Sequence, residues 1–230
     1  MSNKKTKNNN EIPVFQIITL GESGVGKTSI IKRYIYNTFE YNNMSTIGLS
    51  FSFKNVILKN NAHIKIKLID TGGQEQYRSL AKSYFKNSNG VLLVYAKNNQ
   101  ESFDKIKDWI EMFKQNYNGK YDIPFALVES KDDLDRVVDE NLSINFAKEN
   151  NFIFKKISCV ENNNSVNELF NDMGESLYDY YVKYNQKKLK QTGIKLNKEA
   201  ENENKRENQC CSFHNNLYIK KYKIKITNNK

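Results

Sequence analysis

A lysine and a threonine close a glycine-rich run, Gly21-Glu22-Ser23-Gly24-Val25-Gly26-Lys27-Thr28-Ser29. The pattern G-x-x-x-x-G-K-[ST] suits a polyphosphate. Bulky side chains would keep a backbone from wrapping such an anion. Glycines let successive N–H groups point at it, and a following helix adds its positive N-terminal end. The Lys27 ammonium would meet the β- and γ-phosphates, and the Thr28 hydroxyl would ligate Mg²⁺. Ahead of the run, Val14 to Leu20 is apolar and reads as a strand; behind it, Ile30 to Ile35 reads as a helix. Strand, turn and helix together are the context this chemistry needs.

Four further clusters fall at strand ends or in the loops between strands. Thr46 lies in the polar stretch after the first helix, and its hydroxyl would complete the Mg²⁺ shell when a γ-phosphate is present. Asp70, Gly73 and Gln74 end another strand. An acid there can hold Mg²⁺ through water, a glycine N–H can reach a γ-phosphate, and a carboxamide can orient an attacking water. In Ser130-Lys131-Asp132-Asp133, the Asp133 carboxylate can accept from the paired N1–H and N2–H₂ donors of guanine, a pair adenine lacks. The backbone of Ser158-Cys159 would close over the base, and the Cys159 side chain reads as a small buried group.

To position these clusters the chain alternates strands and helices. Strands are expected at 12–20, 91–95, 124–128 and 152–157, with a β-hairpin from 49–58 and 63–70 around Asn60-Asn61. Helices are expected after the glycine-rich run, within 76–89, at 102–113 with Ser102 as N-cap, at 139–150 with Leu142, Phe146 and Ala147 inward, and at 165–184. The fold class is α/β: a doubly wound, mostly parallel six-stranded sheet with helices on both faces and one antiparallel hairpin. Ligands in such sheets sit off the carboxyl ends of the strands, where every cluster above falls.

The chain has 230 residues and a formal net charge of +10. The excess lies at the two ends, whereas 12–182 is nearly neutral. A basic nucleic-acid-binding face on the domain is therefore not expected, while a tail held near an anionic membrane surface, or simply solvated, is. The start is polar, without the apolar core of a secretory signal, and Ser2 stands where myristoylation requires glycine. Three cysteines make no disulfide framework, in keeping with a reducing cytoplasm. The expected organisation is a disordered segment 1–11, a nucleotide-binding domain 12–184 and a disordered basic tail 185–230.

Together these motifs resemble the Ras superfamily of small GTPases, and within it the Rab family, over about 13–182. The Rab character rests on Ser45-Thr46-Ile47-Gly48-Leu49-Ser50-Phe51, Gln74-Glu75-Gln76-Tyr77-Arg78-Ser79-Leu80, Ser83-Tyr84-Phe85 and Leu92-Leu93-Val94-Tyr95. The resemblance implies a switch that binds GTP or GDP with Mg²⁺ and hydrolyses GTP. Phe39 would stack on the guanine nucleoside, Thr46 would mark the first switch, and Gln74 in the second switch would be the catalytic residue. Lys131 and Asp133 match N-K-x-D, and Ser158 matches the serine of S-A-K. The implied partners are effectors at the switches, an exchange factor and a GTPase-activating protein, for a monomer working in vesicle traffic.

Several residues depart from the family pattern. Ser130 replaces Asn, and its short hydroxyl is expected to lose reach to the base and to the phosphate loop. Gly72 replaces Ala and is expected to loosen the second switch. Ile69 replaces a Trp used in effector choice, and Cys159-Val160 replaces Ala-Lys. These departures also motivate a second reading, a nucleotide-locked scaffold that no longer cycles.

Cys210-Cys211 resembles the pair that Rab proteins prenylate, but Ser212 to Lys230 follow it. Prenylation requires the pair at or very near the terminus. Either the protein ends near Cys211 and cycles between cytoplasm and the cytosolic face of a membrane, or this anchor is lost.

Overall fold

The computed structural model describes residues 12–41, 44–119, 123–161 and 164–191. The chain divides into two units, Met1–Tyr180 and Tyr181–Lys230, and the nucleotide motifs all belong to the first. The segment 1–11 and the cysteines Cys210 and Cys211 lie outside the described residues.

Six strands form one sheet: β1 (Val14–Leu20), β2 (Leu49–Ile57), β3 (His63–Thr71), β4 (Gly90–Ala96), β5 (Phe125–Ser130) and β6 (Ile153–Ile157). Their order is β2-β3-β1-β4-β5-β6, and only β2 and β3 pair antiparallel. The alternation read on both sides of Asn60-Asn61 is that hairpin, which Asn61 turns with φ 60°. Every residue of β4 and β5 is buried, as parallel strands covered on both faces require.

The period-two alternation of side chains divides the core between the two faces of the sheet. On one face Ile17, Leu92, Val94 and Val128 pack with Ile30 and Tyr34 of α1 (Lys27–Tyr36) and with Val166, Phe170 and Met173 of the C-terminal helix. On the other, Ile18, Leu93, Tyr95 and Leu127 pack with Ala81 and Phe85 of α2 (Arg78–Phe85). Trp109 and Phe113 of a later helix join the same face.

The helix expected at 102–113 is two helices. α3 (Gln100–Asp104) and α4 (Ile106–Asn116) break at Lys105. The cap is Asn99, whose side chain accepts from the Ser102 N–H at 3.0 Å, and not Ser102. Ser102 instead ties the helix to the end of β4, its hydroxyl accepting from the Ala96 N–H at 3.0 Å. In α5 (Glu140–Glu149) Ala147 is buried, but Leu142 points to solvent. The last helix, α6 (Ser165–Gln191), continues past the Tyr184 at which the sequence pattern fades.

Candidate functional site

The phosphate loop joins β1 to α1. Gly26 caps α1 at φ 100°, a backbone that L side chains resist, and no side chain caps the helix there. The loop residues thus leave the first N–H groups of α1 open to an anion. Lys27 is buried, and its Nζ donates to the Gly21 carbonyl at 2.8 Å and the Glu22 carbonyl at 2.7 Å. Burial pulls its ammonium down to about pKa 8, against the opposing pull of Asp70 and Glu22.

Three elements converge beside it. The Thr28 hydroxyl donates to Asp70 Oδ2 at 2.7 Å, and Thr46 Oγ1 lies 2.6 Å from Thr28 Oγ1. Asp70 is 2% exposed, its Oδ1 has no partner among the described residues, and burial raises its pKa. A reciprocal pair pins this strand end: Thr71 Oγ1 donates to the Thr19 carbonyl at 2.6 Å, and Thr19 Oγ1 to the Ile69 carbonyl at 3.0 Å. An orphaned buried carboxylate oxygen beside two hydroxyls fits a hard, oxygen-seeking cation such as Mg²⁺.

The second switch lies against this group. A Cβ at Gly72 would fall 2.7 Å from both the Thr46 carbonyl and the Tyr77 ring, and the Gly72 N–H donates to the Gly48 carbonyl at 2.9 Å. Gly72 is thus a close crossing of the two switches and not a loose hinge. A Cβ at Gly73 would fall 2.4 Å from the Glu22–Ser23 backbone, so Gly73 rests on the phosphate loop. Gln74 is exposed, and its Oε1 accepts from Gln76 Nε2 at 2.8 Å.

At the other end of the cleft, Ser130 corrects its expectation. Its Oγ lies 2.5 Å from the Val25 carbonyl and 2.8 Å from that of Tyr95, so the short hydroxyl does reach the phosphate loop. Lys131 takes φ 58° at the turn out of β5. Asp133 Oδ1 accepts from the Ser158 hydroxyl at 2.7 Å, which fixes that carboxylate at the rim of the cleft. The Cys159 carbonyl accepts from Arg33 Nε of α1 at 3.0 Å. The Cys159 side chain is buried, and burial pushes its thiol up to about pKa 12.

A cleft of about 340 Å³ runs along these groups. Ser23, Gly24, Gly26, Lys27, Thr28 and Ser29 line one end with Thr46 and Gly73; Phe39, Lys131, Asp133 and Cys159 line the other. Gly21, Glu22, Val25, Asp70, Ser130 and Ser158 stand behind that lining, and Gln74 lies outside it. A larger polar hollow of about 570 Å³, beside Arg33, Lys54 and Asn164, is lined by none of the motif residues.

Two side-chain groups escaped the sequence reading. Glu129 is fully buried at the end of β5, where Arg136 Nη2 and Nη1 reach its two oxygens at 2.7 and 2.9 Å and the Tyr95 hydroxyl donates at 2.7 Å. This clamp sits directly behind Ser130 to Asp133. Its one sequence signal was an acid in an otherwise apolar strand. Glu22 Oε1 accepts from the Trp109 indole N–H at 2.9 Å and faces Arg78 Nη2 at 3.1 Å. Trp109 does pack in the core, as its helical spacing suggests, but its one polar atom points to the phosphate loop.

The model of the Ras family matches residues 16–179. The chain is 34% identical over 178 residues to the Ras-related protein Rab-5B of Plasmodium falciparum, covering 77% of this chain and 84% of that one. It is 37% identical over 168 residues to the Ras-related protein Rab-11B of Dictyostelium discoideum, covering 71% and 75%. It is 35% identical over 159 residues to the GTP-binding protein ypt3 of Schizosaccharomyces pombe, covering 68% and 72%.

Proposed function

The chain belongs to the Rab family of small GTPases, and on that premise we propose that it is a GTP/GDP switch that hydrolyses GTP and recruits effectors in vesicle traffic. The observation that carries this reading is the meeting of Thr28, Thr46 and Asp70 around an unpartnered carboxylate oxygen. Both switch segments come against the phosphate loop there, so a γ-phosphate would have two loops to hold and its loss would release them.

Thr28, Thr46 and Asp70 would hold Mg²⁺, which supplies positive charge to the polyphosphate oxygens. Lys27 and the loop N–H groups bind the phosphates, Phe39 covers the nucleoside, and Asp133 selects guanine. Gln74 orients water once it gives up Gln76. Arg78 is engaged by Glu22 and Glu75 and does not stand free as a finger. Intrinsic hydrolysis is therefore slow, and an activating partner that adds an arginine raises it ~10³–10⁵-fold. Single-turnover hydrolysis tests the assignment: Gln74→Leu slows it at least about tenfold, and equal rates would remove Gln74 from the mechanism.

No feature of the site favours the nucleotide-locked scaffold. Ser130 keeps its reach to the loop, and Gly72 is a packed crossing. Among the described residues no helix is long and apolar enough to cross a membrane. Membrane attachment would come from prenylation at Cys210 and Cys211, which the intact mass of the native protein reports together with the true carboxyl terminus.

A further inference from the structure

Three side chains that the nucleotide motifs do not use meet on the outer side of the phosphate loop. Glu22 Oε1 accepts the Trp109 indole N–H at 2.9 Å and faces Arg78 Nη2 at 3.1 Å. The Arg78 guanidinium stands over the Trp109 ring, 5.0 Å from its centre, and its other terminal nitrogen lies 3.2 Å from Glu75 Oε1. Arg78 therefore ties the carboxylate of the phosphate loop to the residue after Gln74. The platform beneath is rigid, because Trp109 is 1% exposed and packed in α4 with Ile106, Ile110 and Phe113.

A partly exposed ion pair alone would hold little, since water screens it and ordering two long side chains costs entropy. Here the indole fixes the Glu22 carboxylate with a hydrogen bond and the guanidinium with its ring face. Each member limits the rotamers of the other two. The Glu75 end is 84% exposed and adds less. The net hold falls on Arg78, the first residue of α2, five residues after the backbone contact between Gly73 and Glu22–Ser23.

We propose that Glu22 is a positioning residue. Through Arg78, stacked on Trp109, it anchors the second switch to the phosphate loop and so sets the place from which Gln74 works. This inference rests on the GTPase function proposed above. A water-orienting carboxamide displaced by about an ångström loses much of its effect. The clasp also carries its own reporter. Trp109 is the only tryptophan in the chain, so its emission reads the guanidinium above its ring and the carboxylate at its N–H.

The test uses the full chain loaded with GTP and Mg²⁺. Arg78→Gln is expected to slow single-turnover hydrolysis about tenfold while changing the GTP dissociation constant less than about twofold. Glu22→Gln slows hydrolysis to a similar degree, and the double variant is no slower than either single one, because both break one unit. Arg78→Lys recovers part of the rate. Trp109 emission differs between the GDP form and a non-hydrolysable GTP-analogue form, and Arg78→Gln abolishes that difference. An active wild type whose Arg78→Gln variant keeps both its rate and its emission change overturns the positioning role alone. So do single effects that multiply in the double variant. A wild type that leaves bound GTP intact overturns the GTPase reading, and the positioning role with it.

Discussion

At the phosphate end of the cleft, Thr28, Thr46 and Asp70 reach one another from three segments of the chain, yet Asp70 Oδ1 is buried without a partner among the described residues; Arg78 Nε, in the adjoining switch, is the same. At the base end, Glu129, Tyr95, Ser130 and Ser158 are equally buried, and each has its hydrogen-bond partners. Among the described residues, the two buried side-chain polar atoms left over both lie on the phosphate side. Of these, Asp70 Oδ1 is an acceptor; an unsatisfied buried acceptor is costly, so it marks where a cation would complete the structure. A satisfied network holds its shape before the ligand arrives, and binding there spends less on ordering. On the function proposed above, the base end would be a preformed mould, and the phosphate end would be finished by the cation and the polyphosphate.

Substitutions at the two ends should therefore fail differently. The largest effect on the fold is expected at the base end. Arg136→Leu leaves the fully buried Glu129 carboxylate with Tyr95 alone, and urea unfolding should show a loss of about 3 kcal/mol or more. At the phosphate end, Lys27→Met should cost binding and not folding. Titration with a fluorescent GDP should show affinity about a hundredfold weaker, while the unfolding midpoint without nucleotide barely moves. If Lys27→Met instead unfolds the chain, the contrast between the ends breaks down.

Ser130→Ala joins the two ends, because it removes the hydroxyl between β5 and the Val25 carbonyl. GDP release should quicken about tenfold, the size of one lost hydrogen bond to a buried carbonyl. An unchanged release rate would mean that this bond does not hold the phosphate loop. The smallest effect concerns Cys159. Its thiol keeps its proton to about pKa 12 in the folded chain, against ~8.5 for an exposed one. Between those values the folded state binds the extra proton, so stability from this group is full below about pH 8.5 and falls as pH rises through the window. Iodoacetamide at pH 8 should accordingly leave Cys159 unmodified in the native protein, as peptide mass mapping would show.

Much of the fold was legible because its signals are local. The buried parallel strand β4 and the start of β5, Phe125 to Val128, are apolar runs, the hairpin alternates around two asparagines, and the phosphate loop is contiguous in sequence. Asp70, Thr46 and Asp133 could be placed because strand ends in a doubly wound sheet share one rim. What stayed hidden is non-local. Nothing periodic links Glu22 to Trp109, 87 residues away, or shows that Ser130 spans 105 residues to Val25. Ser102 looked like a cap because serine caps helices well, but Asn99 does so as readily and stands where the chain leaves β4. The exposure of Leu142 follows from tertiary packing, which a helical period alone does not orient. The Glu129–Arg136 clamp was missed because an acid inside a strand reads as a polar interruption until its partner is seen.

Displacement of a labelled GDP from the full chain, with Mg²⁺, by unlabelled GTP and by unlabelled ATP tests the division of labour most directly. A phosphate end alone would accept either triphosphate, since both carry the same charges. With Asp133 held by Ser158 behind a preformed base end, GTP should displace the label at near-stoichiometric amounts, and ATP should fail at about a thousandfold excess. Equal displacement by ATP would contradict the guanine assignment and, with it, the reading of the base end as a mould.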